Sequence, residues 1–141
     1  MSYKITLRVY QTNPNAYFRI VEKTIWNHAN GGTWSDSDGE QVLTMGGSGT
    51  SGILRFLSDT GEYFLVAVGV HNYKRWCDIV SNITPNMTGA TVHPEYYTGW
   101  RAFARERQLA NYGGPNAQGR SLDIKFTVAE GNDLKAYIII G

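Results

Sequence analysis

The sequence predicts a mainly β protein, a sandwich of strands with a helix-containing insertion, and three observations predict it. Apolar and polar residues alternate with a period of two near both ends of the chain, at Ile5, Leu7 and Val9 and again at Leu122, Ile124, Phe126 and Val128. A nearly unbroken apolar run from Tyr63 to Val70 fits a central strand buried on both faces. Between them lies one stretch, Gly99 to Leu109, in which Trp100, Phe103, Ala104 and Leu109 are set against Arg101, Arg105, Glu106 and Arg107, the pattern of an amphipathic helix.

Taken in order, the chain opens with a strand over Tyr3 to Val9. Gln11-Thr12-Asn13-Pro14-Asn15 is a turn cluster, and the β-branched and aromatic residues from Tyr17 to Trp26 predict a second strand, paired with the first as an antiparallel hairpin. Asn30-Gly31-Gly32 breaks the chain, and Trp34 to Glu40 reads as a polar, turn-rich stretch. Val42 to Met45 leads into Gly46-Gly47-Ser48-Gly49-Thr50-Ser51-Gly52, and Ile53 to Leu57 leaves it, giving strand, loop, strand. After Tyr63 to Val70, the segment Tyr73 to Val80 fits either a strand or a helical turn. Ser81 to Pro94, with two prolines, reads as mostly irregular. Asn111-Tyr112-Gly113-Gly114-Pro115 ends the helix candidate. Gly131-Asn132-Asp133 then turns the chain into a last strand, Leu134 to Ile140.

A chain of 141 residues fits a single domain, 1–141, with one core. A net charge of +1 supplies no field to argue for nucleic acid or an anionic membrane. The interleaved Lys74-Arg75-Trp76 and Arg101 to Arg107 therefore read as solvated faces. The single cysteine, Cys77, excludes an intramolecular disulfide framework and suits a reducing compartment. The N-terminal residues have no apolar core of a signal peptide, so a soluble, cytoplasmic protein is expected, with the sequons at Asn82 and Asn86 unmodified.

The glycine-rich loop formally spells G-x-G-x-x-G from Gly47 to Gly52. It opens a strand rather than a helix and is followed by no phosphate-binding lysine, which argues against a nucleotide. Four glycines with Ser48, Thr50 and Ser51 instead make a loop that exposes main-chain groups and short hydroxyl arms. His28, His71 and His93 are too scattered to make a zinc site with one cysteine, so no metal and no cofactor are expected. A Cys77/His71 nucleophile pair and an Asp78/Glu106 carboxylate pair are conceivable, but a lone cysteine in an apolar run is more often a small buried hydrophobe. A neutral polyol needs many short donors and acceptors beside an aromatic face. Ala29 to Gly32 with Ser48-Gly49 and His71-Asn72 could supply these, and so could Asp78 with Ser81, Arg101 and Tyr112.

The segments Ala29-Asn30-Gly31-Gly32-Thr33-Trp34, Leu43 to Gly52 and Gly69 to Asp78, with Glu130-Gly131-Asn132, resemble the fungal fruit-body lectin family along Tyr3 to Gly141. The resemblance implies a β-sandwich of two sheets joined by a helix-loop-helix segment, similar in architecture to the actinoporin toxins. It implies a metal-independent homotetramer that binds glycans, O-glycan cores and GlcNAc-terminated chains, and that is not an enzyme. It further implies a Galβ1-3GalNAc (T-antigen) site on Ala29, Ser48, Gly49 and Asn72 with Asn30 and His71 as neighbours. A second site, for terminal GlcNAc, falls on Asp78, Ile79, Ser81, Arg101 and Tyr112. Ser81 keeps a hydroxyl where a threonine belongs to the pattern, and Thr91-Val92-His93 and Thr98-Gly99-Trp100 depart from it. The competing expectation is a membrane-active toxin. It is disfavoured because the chain begins directly as a strand, without the amphipathic N-terminal segment such toxins insert.

Overall fold

The computed structural model describes residues 2–141 and, of His28, only the main chain. Among the described residues ten strands form two sheets. The first sheet has six strands in the order β3 (Thr33–Ser37), β4 (Glu40–Met45), β1 (Tyr3–Gln11), β10 (Asp133–Ile140), β9 (Ser121–Val128), β8 (Asn111–Pro115). The second has four, in the order β2 (Phe18–Trp26), β5 (Ser51–Ser58), β6 (Tyr63–His71), β7 (Lys74–Ser81). Between β7 and β8 run three short helices, α1 (Gly89–Val92), α2 (Glu95–Thr98) and α3 (Ala102–Glu106).

The main core lies between the sheets, where Ile5, Leu7, Leu43, Phe64, Val66, Ile124 and Ile138 are buried together. A second cluster lies on the outer face of the smaller sheet, where Ile53, Leu65, Ala67 and Trp76 pack against Val92, Tyr96 and Ala104 of the helical segment. Strand β6 contributes alternate residues to both clusters. That explains why its sequence is apolar almost throughout rather than alternating. The sandwich with a helical segment is the architecture the sequence predicted, and Lys74 to Val80, which fitted strand or helix, is strand.

Four expectations need correction. β1 and β2 do not form a hairpin, because β1 pairs antiparallel with β4 and parallel with β10 while β2 pairs with β5 in the other sheet. The turn cluster between them carries the chain across the sandwich. There the Gln11 amide takes the part of a peptide group, donating to the Phe18 carbonyl at 2.7 Å and accepting from the Phe18 N–H at 2.8 Å. The polar stretch after Gly32 is edge strand β3, whose polar residues face water while Trp34 reaches in to donate to the Thr24 carbonyl at 2.9 Å. The helix expected over Gly99 to Leu109 is only α3, five residues long. A further turn, α2, precedes it, and α1 occupies part of the stretch read as irregular, capped by reciprocal bonds between Thr88 and Thr91. Asn111 to Pro115 does more than stop a helix, since it pairs with β9 as edge strand β8.

Candidate functional site

Two clusters contain all the residues expected to bind sugar. The first sits at one end of the four-stranded sheet, where three connections meet. A 3-10 turn at His28–Asn30 follows β2, the glycine loop joins β4 to β5, and a two-residue turn at Asn72 and Tyr73 joins β6 to β7. Asn72 and Tyr73 both have positive φ, 48° and 65°, the backbone that lets a two-residue hairpin turn follow the sheet's twist.

The three connections are tied by hydrogen bonds. Asn30 Nδ2 donates to the Ser48 carbonyl at 3.2 Å and to Thr50 Oγ1 at 2.8 Å, while the Asn30 carbonyl accepts from Gly46 N–H at 2.7 Å. Ser48 Oγ accepts from the Tyr73 N–H at 3.0 Å, and Gly49 N–H donates to the Val70 carbonyl at 2.8 Å. Two glycines are required here. Gly49 has φ of 91° and open space where a side chain would stand, and a Cβ on Gly46 would run into the Asn30 carbonyl. The structure thus brings Ala29, Asn30, Ser48, Gly49, His71 and Asn72 together at one rim, with Ala29 and Asn72 exposed and the rest half-buried. His71 Nδ1 is 2.6 Å from Arg105 Nη1, and the His71 carbonyl accepts from Gln108 Nε2 at 2.5 Å. Burial, reinforced by Arg105, holds the imidazole pKa below its usual value.

The second cluster lies where β7 and β8, the edge strands of the two sheets, come together beside the helices. Neighbouring residues of a strand point to opposite faces, so Asp78 faces the helices while Ile79 and Ser81 face inward toward β8. Asp78 is buried. Its Oδ2 accepts from the Tyr96 hydroxyl at 2.6 Å and its Oδ1 from Arg107 Nη2 at 3.3 Å. Burial raises its pKa, and the bonds from Tyr96 and Arg107 oppose that rise. Arg107 also lies 4.5 Å over the Tyr112 ring, which joins the helix side of the cluster to the cleft side. Ile79, Ser81 and Tyr112 line a cleft of about 150 Å³ with Gly113 to Pro115. Arg101 is buried, bonded through Nε to Glu95 Oε1 at 2.7 Å and stacked on Trp100 at 4.1 Å.

Tyr96, Arg105 and Arg107 were not singled out for these sites from sequence. Each acts through a contact made only when the helical segment folds onto the smaller sheet, and no spacing announces it. Of the larger open clefts, those between β2 and α1 and between β1, β2 and β4, about 410 Å³ each, contain no expected site residue, whereas one of about 460 Å³ over β8 and β9 is lined by Tyr112. Cys77 is buried with its thiol pKa pushed up to about 12, chiefly by burial, so it is a packed hydrophobe rather than a nucleophile. Among the described residues no group of three or more His, Cys, Asp and Glu is placed to hold a metal ion.

Comparison with known proteins bears on the same elements. A sequence model described as fungal fruit body lectin matches residues 1–138. The chain is 56% identical over 141 residues to the Boletus edulis lectin of Boletus edulis, with 99% of each chain covered. It superposes on the wild-type Xerocomus chrysenteron lectin XCL with a TM-score of 0.97 at 57% identity, covering 100% of both chains. A methionine-substituted form of that lectin gives the same TM-score of 0.97 and 57% identity, with 100% of this chain and 99% of that one covered.

Proposed function

The chain belongs to the fungal fruit body lectin family of carbohydrate-binding proteins, and from that premise we propose that it binds two different sugars at two separate sites. The loop cluster of Ala29, Asn30, Ser48, Gly49, His71 and Asn72 takes Galβ1-3GalNAc. The edge cluster of Asp78, Ile79, Ser81, Arg101 and Tyr112 takes terminal GlcNAc. The protein binds without changing its ligand, uses no metal, and as a homotetramer displays several copies of each site, in keeping with a defensive role against animals that feed on the fungus.

The observation that carries this reading is the state of the loop cluster. Its main chain is fixed by cross-loop bonds, while the amide of Asn72 and the space beside Gly49 stay open to solvent. A prearranged set of short polar arms loses little conformational freedom on binding, which is what recognition of a neutral, flexible polyol demands. The edge cluster supports a different ligand because its groups are charged and aromatic. Its cleft, smaller than the roughly 300–1,000 Å³ of drug-sized pockets, suits a single ring.

Glycan-array binding of the purified protein tests the reading, with Asn72→Ala and Arg101→Ala beside the wild type. Binding to Galβ1-3GalNAc and to GlcNAc-terminated glycans is expected, with each variant losing one class. Loss of both classes in either folded variant, or release of free sugar from the conjugates, contradicts it.

A further inference from the structure

Asn72, the most exposed polar side chain of the loop cluster, is the end of a chain of contacts. Its Nδ2 lies 3.3 Å from His71 Nε2, and the other ring nitrogen, Nδ1, lies 2.6 Å from Arg105 Nη1. A guanidinium has only hydrogens to give, so Nδ1 must accept. The neutral ring therefore carries its hydrogen on Nε2. An N–H pointed at an NH₂ group sets donor against donor, whereas the two ends of an amide are nearly equal in shape and exchange places by rotation.

We infer that Arg105 is a positioning residue for the loop site: by fixing the Nε2–H tautomer of His71 it turns Asn72 so that Oδ1 accepts from the ring and Nδ2 faces the ligand as a donor. The inference rests on the loop cluster being a sugar site and adds the polarity of its outermost group. The site then selects a sugar that presents an acceptor there, a hydroxyl oxygen or an acetamido carbonyl.

Arg105 is built to hold this position. Its Nε donates to the Tyr96 carbonyl at 2.8 Å, and its guanidinium lies 4.9 Å over the Tyr97 ring, which itself stacks on Trp26 at 4.5 Å. The ring of His71 is flanked by Arg105 and Glu106 from α3 and by Lys74, its partner across the β6–β7 hairpin. Burial and the Arg105 charge keep the ring neutral near pH 7, as the relay requires.

Long-range ¹⁵N–¹H spectra of the His71 imidazole in the sugar-free protein, with a pH titration, test the first step. Calorimetry with Galβ1-3GalNAc tests the second. The wild type is expected to show protonated Nε2 and bare Nδ1. Arg105→Ala should give a mixture of tautomers, a higher titration midpoint and binding weaker by about fivefold to tenfold, the worth of one hydrogen bond. Arg105→Lys should recover the tautomer and most of the affinity. Asn72→Asp keeps the shape and the acceptor toward the ring but has no hydrogen for the ligand, so it should bind no better than Asn72→Ala. A wild-type ring protonated on Nδ1, unchanged spectra and affinity in Arg105→Ala, or full affinity in Asn72→Asp overturns the relay. A wild type with the expected ring but no affinity for the disaccharide overturns the sugar assignment instead, and with it the ligand-facing half of the relay.

Discussion

The Tyr96 hydroxyl donates to Asp78 Oδ2 at 2.6 Å, and through this bond the helical segment holds an otherwise buried carboxylate on edge strand β7. Tyr96 is itself fully buried against Trp76, so the bond lies in the second core cluster. Tyr96→Phe leaves the packing in place but removes the donor. The cost is about 1–3 kcal/mol, the penalty for leaving a buried acceptor short of a partner. Urea denaturation should show that loss, and calorimetry should show weaker GlcNAc binding with Galβ1-3GalNAc unaffected. Unchanged GlcNAc affinity would detach Asp78 from the second site.

Gly46 touches no proposed ligand, yet a side chain there would collide with the Asn30 carbonyl and displace the 3-10 turn from the glycine loop. Gly46→Ala is therefore expected to abolish Galβ1-3GalNAc binding and to leave GlcNAc binding within about twofold, less than one hydrogen bond's worth. Retained disaccharide binding would mean that the Asn30 and Ser48 segments need not be held together.

Much of this architecture is legible in the sequence, for reasons that differ by element. Strand β6 announces itself because both of its faces are buried, and β9 and β10 because Gly131 and Asp133 close a local turn between alternating segments. The partners of β1 are not legible. One is β10, paired in parallel from the far end of the chain, and no local pattern encodes a pairing of that separation. Strand β3 was hidden because an edge strand facing water has no apolar face to show. The helices were overestimated because the pattern of Gly99 to Leu109 continues past Glu106, while Gln108, with φ of 49°, has already left the helix. Residues of the loop cluster were foreshadowed by the glycine-rich composition. Chemistry suggests grouping them with Asn72, and Asp78 with Tyr112, but no local pattern encodes that the members of each group meet, since the residues concerned lie on strands of different sheets or on separate loops.

Glu62 gives the fold its clearest dependence on pH. It is buried with Arg120 at 2.8 Å, and bonds from Arg120, opposed by burial and aided by Thr60 and Asn116, lower its pKa from 4.5 to about 2. A depressed carboxyl pKa stabilises the fold above the unfolded value and loses that contribution as pH falls through the folded one. The group should therefore contribute about 3 kcal/mol at pH 7, lost between about pH 4.5 and pH 2. Glu62→Gln cannot titrate, so the stability gap between wild type and variant should close over that range in urea titrations. A gap that stays constant down to pH 2 would mean that the Glu62–Arg120 pair does not set the acid limb.

Neither proposed site is built around a cluster of three or more His, Cys, Asp and Glu among the described residues. Binding of both sugars should survive a strong chelator. Loss of either, restored by added calcium, would show a cation site that the described side chains do not account for.

If the two proposed sites are independent, each sugar binds without regard to the other. Titrating GlcNAc into protein already saturated with Galβ1-3GalNAc, with calorimetry as the readout, is then expected to give the same affinity, heat and stoichiometry as in the disaccharide-free protein. Loss of the GlcNAc heat, or a shift in its apparent affinity in proportion to the disaccharide present, would show the two sugars competing for one site.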